Sequence, residues 1–372
     1  MIKVVILIKI ISTEKSWIEG VAVQQLEQIN KLPGVLDVTG FPDLHSGPVG
    51  IAVSTADMLY PHLIGSDIGC GMCFCQTDAP VRKGNLDKMV QRLTDLDTPY
   101  EGITEQYFVS RGIAIRNASA LGTIGAGNHF AELQKAVVIC NEKLFSELEL
   151  EKDAFTILVH SGSRELGRLI LDRHIQKYGS GGLPVDSPGG SAYRKEHDYA
   201  VNWAHANREL IVTRFMEKLR IDGRIVADTV HNSITCEQFS TGARLVHRKG
   251  ASPGNRGVTM VAGSRGSLSY LVKPIGDSEA VNFSLAHGAG RKLKRNEMRG
   301  RLSHKYTPES LTHTRFGGRV ICEDKDLLYE EAPEAYKNID QVISDMQHAG
   351  LIEVIAAYQP LITYKKREDS WS

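Results

Sequence analysis

The most regular hydrophobic pattern in the chain spans 191–220, "SAYRKEHDYAVNWAHANRELIVTRFMEKLR". Ala200, Trp203, Ala204, Leu210, Ile211, Phe215 and Leu219 recur at helical spacing and make one apolar face. Segments 86–95 and 335–346 also predict helices. Elsewhere the apolar residues come in short runs, at 3–11, 35–39, 50–54, 129–138, 154–160, 243–247, 258–262, 268–273, 280–286 and 352–364. Gly, Asn, Asp and Pro bound most of these runs, which predicts strands. The stretch 180–190, "SGGLPVDSPGG", reads as a flexible surface loop. Strands and helices are interspersed without a regular βαβ rhythm, and no repeat or linker divides the chain. The expectation is an α+β fold with central β-sheets wrapped by helices, in a single domain over 1–372.

The amino terminus, "MIKVVILIKIIS", is apolar but interrupted by Lys3 and Lys9, and no small-residue cleavage site follows. It reads as a buried strand rather than a signal peptide. No run approaches the ~20 apolar residues of a membrane span. Lys plus Arg and Asp plus Glu both number 44, so any nucleic-acid contact must be a local basic patch. Cysteines at 70, 73, 75, 140, 236 and 322 do not form a disulfide framework in a chain of this kind. A reducing, cytoplasmic setting is expected.

Candidate chemistry is densest at 61–75, "PHLIGSDIGCGMCFC". Asp67 and Cys70, separated by two residues in a Gly-rich turn, can point a carboxylate and a thiolate at one metal ion. "GMCFC" alternates like a strand, which makes Cys73 and Cys75 buried small hydrophobes rather than zinc ligands. In "GTIGAGNHFAELQ", 122–134, the glycine order fits neither a Walker loop nor a dinucleotide fingerprint. Its content is Asn128 and His129 at a strand entrance, with Glu132 facing the opposite way unless the strand starts late. In "ILVHSGSRELGR", 157–168, His160 ends an apolar strand, and "SGSR" suits an anion at a helix start, or is simply an N-cap. His231 ends "IVADTVH", and His287 ends "AVNFSLAH" before Gly-Ala-Gly and a basic segment. Histidines 129, 160, 231 and 287 thus all stand at strand ends. Together with Asp67 and Cys70 they look like strand ends converging on one site. That donor mixture suits manganese, iron or zinc without choosing among them.

These segments, in this order, strongly resemble the RtcB family of RNA ligases. The matches include "PDLH" at 42–45, "GSDIGCGM" at 65–72, "GTIGAGNHFAELQ", "HSGSRELG" at 160–167 and "NWAHANRELI" at 202–211. They continue with "VHN" at 230–232, "VHRKGA" at 246–251, "GSRGSLSYLV" at 263–272, "SLAHGAGRKLKR" at 284–295 and "EEAPEAYKNID" at 330–340. The resemblance implies the family's own fold and a dinuclear manganese centre. It implies a GTP-dependent ligase joining RNA 3′-phosphate or 2′,3′-cyclic phosphate ends to 5′-hydroxyl ends. Cys70 would bridge two Mn2+ ions, with Asp67 and His129 on one and His160 and His231 on the other. His287 would be the nucleophile that takes GMP, with Gly288 and Gly290 leaving room for the nucleotide. Asn128, Glu132, Ser264, Ser269 and Lys365 match positions around the guanine nucleotide. Lys366 competes with Lys365, because the tail "KKREDSWS" runs past the family's usual ending. Arg164, Arg291 and Lys292 are expected at RNA phosphates, the alternative being a solvated helix face. A short region between Cys70 and Asn128, with Arg265 and Leu268 as variations, suggests a compact bacterial branch paired with a release-factor-like or activating protein. The rival readings are an RNA-end phosphatase or cyclic phosphodiesterase, and an RNA-end-binding protein without ligation.

Overall fold

The computed structural model describes residues 7–103, 105–114 and 120–366; positions 3–6 of the predicted first strand and the tail after 366 lie outside the described residues. Two sheets dominate. The larger has the strand order Thr259–Val261, Ser269–Pro274, Ile352–Lys366, Phe130–Ile139, Ala154–Ser161, Gly71–Pro80, Gly223–Val230, with antiparallel neighbours throughout. Arg319–Cys322 adds to Ile352–Lys366 in parallel. The smaller sheet runs Leu7–Ile10, Val35–His45, Val49–Thr55, Gly242–Lys249, Asn232–Phe239. Helices lie outside the sheets, so the α+β expectation holds. No helix among the described residues is long and apolar enough to cross a membrane.

The larger sheet is buried on both faces, because its strands are apolar at odd and even positions alike. Cys73, Cys75, Leu133, Ile157 and Val159 pack against Ile211, Phe215 and Leu219 of the helix Pro188–Leu219. Met72, Phe74, Phe130, Leu158 and Tyr358 pack on the opposite side. Cys73 and Cys75 are therefore small core hydrophobes, as the alternation predicted.

Several elements differ from the expectation. The stretch 180–190 is not a flexible loop. Leu183–Pro184 pairs with Met58–Leu59, and the long helix already starts at Pro188. The Ser187 hydroxyl accepts from the Gly190 N–H, and Pro188 occupies the first turn, so composition typical of loops is here a helix start. A side chain at Gly190 would meet the Pro184 carbonyl oxygen at 2.2 Å. The helix predicted at 335–346 is Ile339–His348, since Asn338 caps it and accepts from the Asp340 N–H. Of 280–286 only Ser284–Ala286 is strand; Asn282 and Phe283 take positive φ and turn the chain. The helix Gly20–Ile29 and the strand Asn232–Phe239 were not foreseen.

The sheets meet where the chain passes between them. Val230 ends a strand of the larger sheet, Asn232 begins one in the smaller, and His231 is the residue between. Gly250 likewise separates Lys249 from Ala251–Pro253, which pairs with Ser284–Ala286 and so delivers His287.

Candidate active site

At this junction the predicted donors converge. Cys70 Sγ lies 3.5 Å from His129 Nε2 and 3.2 Å from His160 Nε2. His160 Nε2 is 3.3 Å from His231 Nε2, and His129 Nε2 is 2.8 Å from Asp67 Oδ2. Cys70, His129 and His160 are all buried and offer their ligand atoms within 4.8 Å of one another. Register explains part of this. His160 is the cross-strand partner of both Met72 and Phe130, so all three share one face. The strand after His129 begins at Phe130, which puts Phe130 and Glu132 on that face while His129 reaches the cluster from just before it. The late start, one of the two options open in the sequence, resolves the apparent opposition of His129 and Glu132.

The protonation states suit a metal ion. Burial, reinforced by repulsion from neighbouring histidines, holds His160 and His231 well below the usual imidazole range. Both are neutral bases. His160 Nδ1 donates to the Asn128 carbonyl at 3.1 Å, which leaves the Nε2 lone pair aimed at Cys70. For Asp67, burial pushes upward, yet His129, Cys70 and the Arg164 N–H at 2.7 Å outweigh it and keep the carboxylate ionised. Burial and then Asp67 push the Cys70 thiol up, a penalty that a divalent cation reverses by binding the thiolate with release of the proton. His129 Nδ1 and His231 Nδ1 are buried without a hydrogen-bond partner. One soft donor, three imidazoles and a carboxylate are a donor set that fits a transition-metal ion.

His287 stands beside this cluster, its ring 4.5 Å from that of His231. Its Nδ1 is 2.7 Å from Asp43 Oδ2, and its backbone N–H donates to the same oxygen at 3.2 Å. Asp43 is fully buried. A carboxylate on Nδ1 fixes the proton there and leaves Nε2 as the basic, nucleophilic nitrogen. Gly290 has φ +71°, and a Cβ there would meet the Asp43 carbonyl oxygen at 2.2 Å. The space that Gly290 leaves is thus taken by the backbone carrying Asp43. Gly290 nevertheless lines the cavity beside His287. At Gly288 the nearest atom to an added Cβ is the Ala262 carbonyl oxygen at 3.0 Å.

Asp67, Cys70, His160, His231 and His287 line one cavity of about 270 Å³, together with Asn128, Glu132, Ser264, Gly288, Gly290 and Lys365. Glu132 accepts from Thr363 Oγ1 and Gln134 Nε2, each at 2.7 Å, and burial raises its carboxyl above the usual range. Lys365, rather than Lys366, faces the cavity; its Nζ is 3.5 Å from Glu331 Oε2, and burial lowers its pKa. Burial works against the Glu331 carboxylate, but Lys365, Arg295 and Arg291 outweigh it and hold the group at about 2.

Four predicted residues stand elsewhere or are otherwise engaged. Ser269 does not line the cavity; its hydroxyl accepts from the Gly263 N–H at 3.2 Å and braces the turn beside Ser264. Arg291 lines it, but its guanidinium is spent on Glu331, the Glu330 carbonyl and the Leu293 carbonyl. Arg164 lines an adjoining cavity with Asp67 and His129, and its guanidinium donates to Thr123. Lys292 lines a further cavity, described below.

Sequence reading missed two residues. Asp43 lay inside a quoted motif, where a carboxylate within an apolar strand was the available signal. Arg208 is fully buried in the long helix; it donates to the Gly69 and Ser161 carbonyls at 2.7 and 2.8 Å and to Asp228 at 2.6 Å. Those carbonyls adjoin Cys70 and His160, so one guanidinium clamps both ligand-bearing segments. Its signal was a charge on the apolar side of a helix.

Comparison with known proteins accords with this geometry. The sequence matches the family model described as tRNA-splicing ligase RtcB over residues 25–101 and 98–366. It is 43% identical over 363 residues to RNA-splicing ligase RtcB2 of Escherichia coli, covering 95% of this chain and 94% of that one. It is 31% identical over 299 residues to tRNA-splicing ligase RtcB of Nanoarchaeum equitans, covering 69% and 62%. With RNA-splicing ligase RtcB of Mycobacterium tuberculosis the identity is 27% over 429 residues, covering 91% and 99%.

Proposed function

The chain belongs to the RtcB family and is an RNA ligase, and on that premise we propose that it uses GTP and manganese and works through a GMP–His287 intermediate. It joins RNA 3′-phosphate or 2′,3′-cyclic phosphate ends to 5′-hydroxyl ends, in RNA repair or tRNA splicing, with 1–372 acting as one catalytic domain. The observation that carries this reading is His287, locked by Asp43 on Nδ1 and with its ring 4.5 Å from that of His231.

His287 Nε2 attacks the α-phosphorus of GTP, a P–N bond forms and pyrophosphate leaves. Asp43 keeps the proton on Nδ1 and offsets the positive charge that the ring gains. Water opens a cyclic phosphate end to a 3′-phosphate. An oxygen of that phosphate then attacks the histidine-bound phosphorus, the P–N bond breaks, and a 3′-diphosphate-5′-guanosine end results. The 5′-hydroxyl of the second strand attacks the 3′-linked phosphorus and GMP leaves. Asp67, Cys70 and His129, and Cys70, His160 and His231, are the residues that would hold two manganese ions, which would supply polarisation of phosphate oxygens and balance of negative charge.

In this reading Asn128, Glu132, Ser264 and Lys365 contact the nucleotide, Gly288 and Gly290 shape its surroundings, and Ser269 acts through the turn that it braces. Arg164 and Lys292 meet RNA phosphates, whereas Arg291 serves to hold Glu331. The free cysteines among the described residues support a reducing, cytoplasmic setting. A release-factor-like or activating protein as partner rests on the short region between Cys70 and Asn128 and on the variations at Arg265 and Leu268.

The test is to incubate the full chain with manganese and α-labelled GTP, denature it and look for label on the protein. Acid-labile, alkali-stable label on the wild type and none on His287→Ala is the expected result. No label on a metal-loaded wild type would overturn the proposal.

A further inference from the structure

A second cavity of about 1120 Å³ adjoins the active site; Ser264, Arg265 and Tyr336 line both. Its outer side is built by the segment that carries Lys15 and Trp17. That segment is fastened in place. The buried Asp345 carboxylate accepts from Thr13 Oγ1 at 2.7 Å and from Ser16 Oγ at 2.5 Å. Trp17 is nevertheless 43% exposed, and the Lys337 ammonium lies 5.6 Å from its ring centroid. Lys337 is itself anchored, donating to the Pro42 and Leu44 carbonyls at 3.0 and 2.5 Å. The indole is thus held by fixed neighbours while much of its surface faces water, the arrangement of a stacking platform.

The charges around it are unbalanced in one direction. Lys15, Arg265, Lys292, Arg315 and Lys337 line the cavity against the carboxylates of Glu334, Asp340 and Asp345, the last two of which accept from Tyr270 Oη at 2.7 Å and from Thr13 and Ser16. Lys15, Lys292 and Arg315 line the same cavity with no ion pair to a carboxylate among the described residues. An open cationic wall, an immobilised aromatic face and contact with a nucleotide-sized cavity are the parts of a single-strand binding groove.

We propose that this cavity is a groove for single-stranded RNA: Trp17 stacks a base, and Lys15, Lys292 and Arg315 pair with phosphates of the strand whose end enters the active site. The inference rests on the ligase reading above and adds to it the path of the substrate strand. Sequence preference is not built in, because every base offers a face to an indole.

The experiment is fluorescence anisotropy of a fluorescein-labelled 12-nucleotide RNA with a 3′-hydroxyl and a 5′-phosphate, which the ligase cannot join. It is run on the full chain with manganese across a salt series, with GTP labelling measured in parallel. Trp17→Ala weakens RNA binding about tenfold and Trp17→Phe restores most of it, as base stacking requires. Lys15→Glu with Arg315→Glu lowers the slope of log K against log salt by about 1.4, at about 0.7 per phosphate lost for a single strand. All these variants keep wild-type labelling by GTP. Unchanged affinity and slope in variants that still take label would overturn the groove alone. A polyglutamate peptide that displaces RNA and loses affinity equally in Trp17→Ala would assign the cavity to an acidic protein segment. A wild type that takes no label would bring down the ligase reading and the groove with it.

Discussion

Replacing Asp43 separates two contributions of one carboxylate. Its Oδ2 accepts both the Nδ1–H and the backbone N–H of His287, while its Oδ1 is buried without a partner. In Asp43→Asn the two donors both face the Oδ2 position, so the amide must turn its oxygen there and its NH2 group toward the Oδ1 side. The imidazole tautomer is thereby kept and only the charge is lost. When Nε2 bonds to phosphorus the ring becomes cationic, and a carboxylate at about 4 Å is worth about 4 kcal/mol at an effective dielectric constant of about 20. The guanylylation step should slow by about 10³-fold, at about 1.4 kcal/mol per factor of ten. Asp43→Ala also removes the acceptor, leaving Nδ1 and the backbone N–H unpaired at a further cost of about 1–3 kcal/mol, so it should fall below Asn by another factor of about ten or more. The assay is single-turnover transfer of label from GTP, with thermal unfolding and metal content checked in each variant. An Asn variant within threefold of wild type, with fold and metal intact, would refute the charge argument. An Ala variant equal to Asn would refute the orientation argument.

Further predictions address the supports of the site. Arg208→Met leaves the half-buried Asp228 with His205 as its remaining partner and frees the Gly69 and Ser161 carbonyls. It should cost about 3–5 kcal/mol of stability and reduce manganese bound per chain, measured by denaturant unfolding and by elemental analysis. Cys73→Ser should leave metal content and joining activity unchanged and cost about 1–3 kcal/mol, because a hydroxyl replaces a thiol in an apolar core; loss of metal would return Cys73 to the ligand set. Glu331 has its folded pKa depressed to about 2, so its stabilisation is present above the unfolded carboxyl value and is lost as pH falls through about 2. Unfolding measured from pH 5 to pH 2 should therefore show a flatter decline in Glu331→Gln than in wild type. An equal decline in both would refute the assignment.

The site was more legible than the fold that makes it. Asp67, Cys70 and four strand-end histidines stood out because metal ligands and nucleophiles are rare residue types in set places, and local spacing shows them without any knowledge of strand pairing. The apolar face of the long helix was equally plain, since 3.6-residue periodicity is a property of the helix alone. Loop-like composition misled at Ser187–Pro188, where the same residues cap a helix once Pro184 lies against Gly190.

The chain by itself determined which side chains could ligate a metal or attack phosphorus, that short strands and a long amphipathic helix alternate, and that Cys73 points away from Phe74. Tertiary structure alone decided that Asp43 serves His287 across 244 positions of sequence, that Arg208 clamps the segments of Cys70 and His160, and that Lys365 faces the cavity. It also decided that Gly290 is required by a neighbouring backbone. The physical reason is common to all four. Periodicity and propensity act over a few residues, whereas the partner of a buried charge or the neighbour of a glycine is set by which strands pair and where the two sheets meet.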